Sequence, residues 1–208
     1  MRLLITAGPT REPIDPVRFI GNRSSGQMGA ALATAGLAQG HEVTVVLGPV
    51  HVPMPPSIRR LDIETAAEMH AAVLAEFPRH DVLIMAAAVA DYRPKAISPT
   101  KLGRGEALTI ELEPTADIVA AASGVKRHDQ RTIAFSLEHA GEAGITRARE
   151  KMRRKRVDLM VFNPTDTMDA ATIEPVLLYP DGRSDKLCSR TKREFADNLV
   201  KAVAELFR

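Results

Sequence analysis

The 208-residue chain has no tryptophan, two tyrosines, six phenylalanines and one cysteine. So few aromatics argue against a surface that stacks on single-stranded bases. The lone Cys188 cannot form an internal disulfide, so a reducing compartment is the simpler reading. We read its thiol as a bystander. Neither sign of charge dominates: 28 Lys and Arg face 26 Asp and Glu, a formal net charge of +2. Whole-molecule electrostatics therefore does not demand nucleic acid. No segment approaches the ~18 apolar residues of a membrane span. The opening MRLLITAG is too short an apolar run for a signal peptide. The expectation is a cytoplasmic protein with neither membrane nor nucleic acid as partner. The six histidines are scattered, and no metal-ligand cluster is visible.

What is present is the composition of a soluble globular protein, 45% hydrophobic and 26% charged, long enough for one α/β domain over residues 1–208. Leu3–Thr6 is a continuously apolar run that meets Gly8-Pro9, the pattern of a buried parallel strand ending abruptly. A helix over Ser25–Gln39, a strand at Glu42–Leu47, a helix over Thr65–Phe77 and a strand at Asp81–Ala86 follow. This alternation predicts a Rossmann-like, doubly wound, mostly parallel sheet with flanking helices. Further on, the pattern predicts a strand at Leu108–Leu112 and a helix over Thr115–Ser123 capped by Thr115. Strands at Thr132–Ser136 and Asp158–Phe162 flank a basic helix, Gly141–Arg156. A small hairpin is expected at Glu174–Leu187, turning at Pro180–Arg183, before a last helix from Thr191. Three long irregular segments remain: Gly8–Ser24, Gly48–Arg60 and Asp91–Ala107.

The first of these leads into GPTREPIDPVRFIGNRSSGQMG, Gly8 to Gly29. It lies where such sheets bind phosphate, between the first strand and the following helix. It is not a dinucleotide fingerprint, whose turn closes within about six residues. Pro13 and Pro16 stiffen it, Arg11 and Arg18 charge it, and Asn22 to Gly26 bring hydroxyls and backbone N–H groups to the helix start. The plain alternative is an ordinary capped helix behind a surface loop.

The run TREPIDPVR-x-I-x-N-x-SSG-x-MG closely resembles the phosphopantothenoylcysteine synthetases, the phosphopantothenate–cysteine ligases of coenzyme A synthesis. The resemblance continues in AAVADYRP, which implies nucleotide contacts from Met85, Ala86, Ala87 and Asp91. Lys101-Leu102-Gly103-Arg104 stands where the family carries a K-x-K-K flap that closes over the triphosphate, with Gly and Arg at the last two places. Thr115-Ala116-Asp117-Ile118-Val119 resembles the family's phosphate-binding turn, with Ala116 where Pro is usual. Phe135 stands near the base, Glu138 is kept, and His139 replaces a Thr. Lys151 and Lys155, at i and i+4, match a nucleotide-binding K-x-x-x-K-x-x-D ending at Asp158. The same run, Arg147–Arg156, holds seven basic residues and read alone would fit nucleic acid.

The resemblance implies CTP as co-substrate, magnesium bound through phosphates, and ligation of 4′-phosphopantothenate to cysteine through an acyl-cytidylate. It makes Asn22 the residue that holds the acyl intermediate, Arg18 its helper, and Lys101 the cation of the first step. Ser24, Ser25 and Gly26 would complete the anion site. It also implies a homodimer, with the segment after Asn163 as candidate contact, and coupling to a flavin-dependent decarboxylase. Two other readings stay open. An NAD(P)-binding reductase on the same fold lacks its short glycine turn and a Tyr-x-x-x-Lys pair here. A non-catalytic CTP-binding paralogue would fit Gly103, Ala116 and His139.

Overall fold

A computed structural model describes residues 1–105, 107–164, 175–187 and 191–207; Cys188, Glu174 and the segment directly after Pro164 lie outside them. The apolar run at the start forms β1 (Arg2–Ala7), in the middle of an eight-stranded sheet. On one side it pairs in parallel with β4 (Glu42–Leu47), which pairs in parallel with β5 (Arg59–Asp62). On the other side come β6 (Val82–Met85), β9 (Arg131–Glu138) and β10 (Leu159–Pro164), all parallel. Antiparallel β11 (Val176–Leu178) and β12 (Ser184–Lys186) finish that edge and form the expected hairpin. The chain thus winds outward from β1 twice, in opposite directions. The reversal lies between β1 and β6, and ligands of such sheets bind there, beyond the strands' carboxyl ends.

Strand alternation feeds two cores. Leu3, Ile5 and Ala7 of β1 face α1 (Gln27–Ala38) and α5 (Lys192–Glu205), with Val82 and Ile84 of β6 beside them. Leu4, Leu83, Met85 and Met160 face the opposite layer. There α2 (Ala66–Glu76), α3 (Ile118–Val125) and α4 (Glu142–Lys155) supply Met69, Val73, Ile118, Val119, Ala148 and Met152. Each fully covered Leu or Ile contributes about 2 kcal/mol. At Gly29 an added Cβ would lie 2.2 Å from the Cβ of Ala7, so α1 reaches the sheet this closely only with glycine there.

Four expectations change. The strand at Leu108–Leu112 is not formed; β8 (Leu112–Pro114) instead pairs antiparallel with β7 (Tyr92–Pro94), apart from the main sheet. Its outward apolar residues gave the run a strand-like pattern without any sheet neighbour to cover it. β5 went unread, its first two residues lying in the Gly48–Arg60 loop, because an edge strand written Arg-Arg-Leu-Asp shows no apolar alternation. The Gly8–Ser24 loop contains a hairpin, β2 (Arg11–Pro13) with β3 (Phe19–Gly21). Thr115 does not cap α3: its hydroxyl donates to Ala90 O at 2.6 Å, and the Asp117 carboxylate accepts from Ala120 N instead.

Candidate active site

Past its last residue, β1 continues to track the chain that leaves β6. Ala88 N donates to Gly8 O (2.9 Å), Thr10 N to Ala88 O (3.2 Å), and Ala90 N to the Thr10 hydroxyl (2.9 Å). The small residues of Ala86–Ala90 therefore serve first to let two loops join. Asn22 Nδ2 donates to Val89 O at 2.8 Å, which sets the end of the β2–β3 hairpin against the same stretch.

Below this seam lies a cavity of ≈ 380 Å³ at the carboxyl ends of β6, β9 and β10. Met85, Ala87, Asp91, Ala116, Asp117, Ile118, Val119, Phe135, Lys151 and Lys155 line it, ten positions singled out in the sequence. Ala86 does not; it packs against the α1 side of the core. Val89, Thr115, Ala134, Ser136, Leu137 and Met160 complete the wall. Val89 and Thr115 belong to motifs quoted from the sequence; no polar pattern marked the other four, which arrive as neighbours along strands.

The start of α3 turns free backbone donors toward the cavity. Asp117 Oδ1 takes Ala120 N (3.1 Å) and Asp117 O takes Ala121 N, leaving the N–H groups of Ile118 and Val119 without an intrahelical acceptor. Both residues line the cavity, at the positive end of the helix. On α4, Lys151 and Lys155 converge on the opening as their spacing predicts, but each already has a carboxylate. Lys155 Nζ lies 3.0 Å from Asp117 Oδ2, and Lys151 pairs with Glu138 at 2.5 Å. Burial pushes the Glu138 carboxyl up, yet Lys151 and Arg147 outweigh it and hold it below the usual range. Asp158, expected beside these lysines, turns away. It accepts from Thr132 N (2.7 Å) and pairs with Lys126, tying β9 to β10. The Phe135 ring meets Phe195 of α5 edge-on, with centroids 6.3 Å apart.

The loop after β1 is built differently. Arg11 and Arg18, the two arginines that charge this loop, both have partners. The Arg11 guanidinium lies 4.5 Å over the Phe19 ring, clasping the hairpin. Arg18 donates through Nε and Nη2 to Asp15, whose side chain is 0% exposed. Asp15 also accepts from Val17 N and Arg18 N, both at 2.8 Å, an Asx turn on Asp-Pro-Val-Arg. The Arg18 guanidinium holds the Asp15 carboxyl far below the ordinary carboxylate range. Sequence reasoning passed over Asp15, although an Asp before Pro in a loop carries that signal. Ser24 and Ser25 line a second cavity with Gln27 and the Pro49–Pro53 stretch. Gly26 caps α1 at φ 73° with no side-chain cap, where a Cβ would press on Val50 and Val52.

Lys101 and Arg104 are exposed, and no described residue pairs with either. His139 is also exposed. Among the described residues no group of three His, Cys, Asp or Glu could hold a metal ion. Nor is any described helix long and apolar enough to cross a membrane.

Residues 1–207 match the family described as the DNA/pantothenate metabolism flavoprotein C-terminal domain. The chain is similar to a cysteine/cysteine sulfinic acid decarboxylase from an unknown prokaryotic organism, 42% identical over 99% of this chain and 58% of that protein. It is also similar to the coenzyme A biosynthesis bifunctional protein CoaBC of Escherichia coli (strain K12), 39% identical over 96% of this chain and 50% of that one. The chain thus spans about half the length of the curated relatives it matches. The solved C-terminal domain of a coenzyme A biosynthesis bifunctional protein CoaBC superposes with a TM-score of 0.85, at 36% identity, covering 99% of this chain and 94% of that one.

Proposed function

This chain belongs to the family of the DNA/pantothenate metabolism flavoprotein C-terminal domain, and from that premise we propose that it joins 4′-phosphopantothenate to cysteine at the expense of CTP. The observation that carries the reading is the cavity at the carboxyl ends of β6, β9 and β10, beside the switch point. It offers two unengaged helix N–H groups and two lysines to phosphates, while Asn22 stands at its rim beside Val89.

A carboxylate does not acylate an amine in water until it is activated. A phosphopantothenate carboxylate oxygen attacks the α-phosphorus of CTP; the bond to the bridging oxygen breaks and pyrophosphate leaves. The cysteine nitrogen then attacks the acyl carbon, the acyl–oxygen bond breaks, CMP departs, and the ammonium proton passes to solvent. The α3 N-terminus, Lys151 and Lys155 hold the nucleotide, and Asp91 contacts it. Lys101 neutralises charge as pyrophosphate leaves, an effect available only in the transition state. Asn22 and Arg18 hold the acyl phosphate. Ser24, Ser25 and Gly26 form the anion site at the start of α1. Of the two carboxylates lining the cavity, Asp117 is engaged by Lys155, and the Asp91 side chain has no described partner. That donor set fits a magnesium ion arriving on the triphosphate better than one resident in the protein, with Asp91 the carboxylate free to meet it; when bound, the ion would offset phosphate charge. A single ligase domain over residues 1–208, a homodimer, a cytoplasmic setting and coupling to a flavin-dependent decarboxylase belong to the same reading.

Pyrophosphate release measured with phosphopantothenate, cysteine and each nucleotide in turn tests it. Release with CTP that requires phosphopantothenate is the expected result. CTP binding without release would make the chain a non-catalytic paralogue, and binding of NADPH instead of CTP would make it a reductase.

A further inference from the structure

The Arg18–Asp15 pair does more than close a turn. Leu102, in the segment expected to cover the triphosphate, gives both of its backbone polar groups to this pair. Its N–H donates to Asp15 Oδ2 at 3.1 Å, and its carbonyl accepts from Arg18 Nη2 at 2.7 Å. A third bond, Ser98 N to Ile14 O at 2.9 Å, fixes the approach to the same loop. One residue of an otherwise exposed segment is thus gripped on both sides by residues more than eighty positions earlier. The Lys101 ammonium beside it stays unengaged among the described residues.

We propose that Asp15 is a positioning residue which latches the Lys101–Arg104 segment to the loop after β1, so that Lys101 and Arg18 are placed from one buried carboxylate. Asp15 touches neither substrate nor nucleotide. It orients the Arg18 guanidinium with its charge and the Lys101 backbone through Leu102 N. Charge-assisted hydrogen bonds to a solvent-excluded carboxylate are strong and directional, so the latch holds its geometry without help from the flexible Gly103. Ligand then finds the segment anchored at its first residues and free beyond them. The catalytic parts given to Lys101 and Arg18 rest on the ligase reading; the latch itself does not.

Trypsin cuts after Lys101, at the peptide bond joining it to Leu102, so limited proteolysis followed by mass spectrometry reports the latch directly. Cleavage after Arg183, in the distant β11–β12 turn, serves as the internal reference. Asp15→Asn and Arg18→Gln are each expected to raise cleavage at Lys101 relative to Arg183 by about tenfold, the loss of one charge-assisted bond. An unchanged ratio in both variants overturns the latch. Should Asp15→Asn loosen the whole fold and raise both sites alike, Arg18→Gln decides, because it leaves Asp15 bonded to Val17 N and its own turn. Positioning has its own readout. Asp15→Asn is expected to slow pyrophosphate release and CMP formation together by tenfold or so, with the KM for CTP little changed. Selective cleavage with both rates intact overturns the positioning role. If the wild type releases no pyrophosphate, the ligase reading fails while proteolysis still judges the latch. If it does release pyrophosphate and the ratio stays flat, the latch fails alone.

Discussion

The two sides of the switch-point crevice are made by different means. The cavity at the ends of β6, β9 and β10 has walls of strand ends and helix starts, and both of its lysines already rest on carboxylates. The Gly8–Gly29 loop is held by its own hairpin, by backbone bonds to the chain after β6 and by the Arg18–Asp15 pair. Among the described residues the Lys101–Arg104 segment is held by Leu102 alone, with Lys101 and Arg104 exposed. On the proposed ligase reading, a wall that recognises one base and its phosphates at every turnover gains from being rigid beforehand. The parts that meet charge as it develops gain from mobility, since substrate must enter and pyrophosphate must leave. The contrast teaches where substitutions should alter rate and where they should alter affinity.

The largest effects should fall on the loop side. Lys101→Ala is expected to slow pyrophosphate release by roughly 10²–10³-fold in rapid-quench assays, with CTP affinity changing little. Asn22→Asp should leave that step and slow CMP formation by a similar ~10²–10³ factor, because a carboxylate replaces the donor to Val89 O beside an anionic intermediate. If each variant slowed both half-reactions equally, the two loops would not have separate tasks. On the cavity side Lys151→Ala should raise the KM for CTP about tenfold and change kcat much less, which steady-state kinetics reads directly. A kcat effect as large as that of Lys101→Ala would erase the distinction between wall and loop.

The smallest effect concerns the wall's own electrostatics. The Glu138 carboxyl is held below its usual range in the folded protein, so its pairing with Lys151 and Arg147 stabilises the fold above the unfolded value and is lost as pH falls through the folded one. Both cations are about two-fifths exposed, and screening keeps the contribution to ~1 kcal/mol or less. The Tm of Glu138→Gln should therefore lie slightly below wild type near pH 7 and meet it as the pH drops below about 4. A Tm gap that persists in acid would assign Glu138 a packing role.

Much of this was legible in the chain because it is local. Thr191 and Thr65 signal their helices by capping boxes with Glu194 and Glu68. Continuous apolar runs mark β1, β4, β6 and β10, and Lys151 and Lys155 share a helix face by spacing alone. The misses have a common cause. β5 and β7–β8 carry almost no buried surface, so no pattern announces them. The α3 cap was given to Thr115 because the residue type fits, yet its hydroxyl is claimed by Ala90 O, twenty-five residues away.

The sequence alone was enough for the doubly wound order of strands and helices, the family, and ten of the residues that line the cavity. It sufficed because hydrophobic periodicity and a long motif are properties of neighbours along the chain. Only the tertiary structure decided which charges remain free to meet a ligand. Arg11 faces Phe19, Arg18 belongs to Asp15, Asp158 turns to Lys126, and Lys101 is left unpaired among the described residues. Such pairings follow from strand register and loop docking, which bring together groups that are distant in sequence.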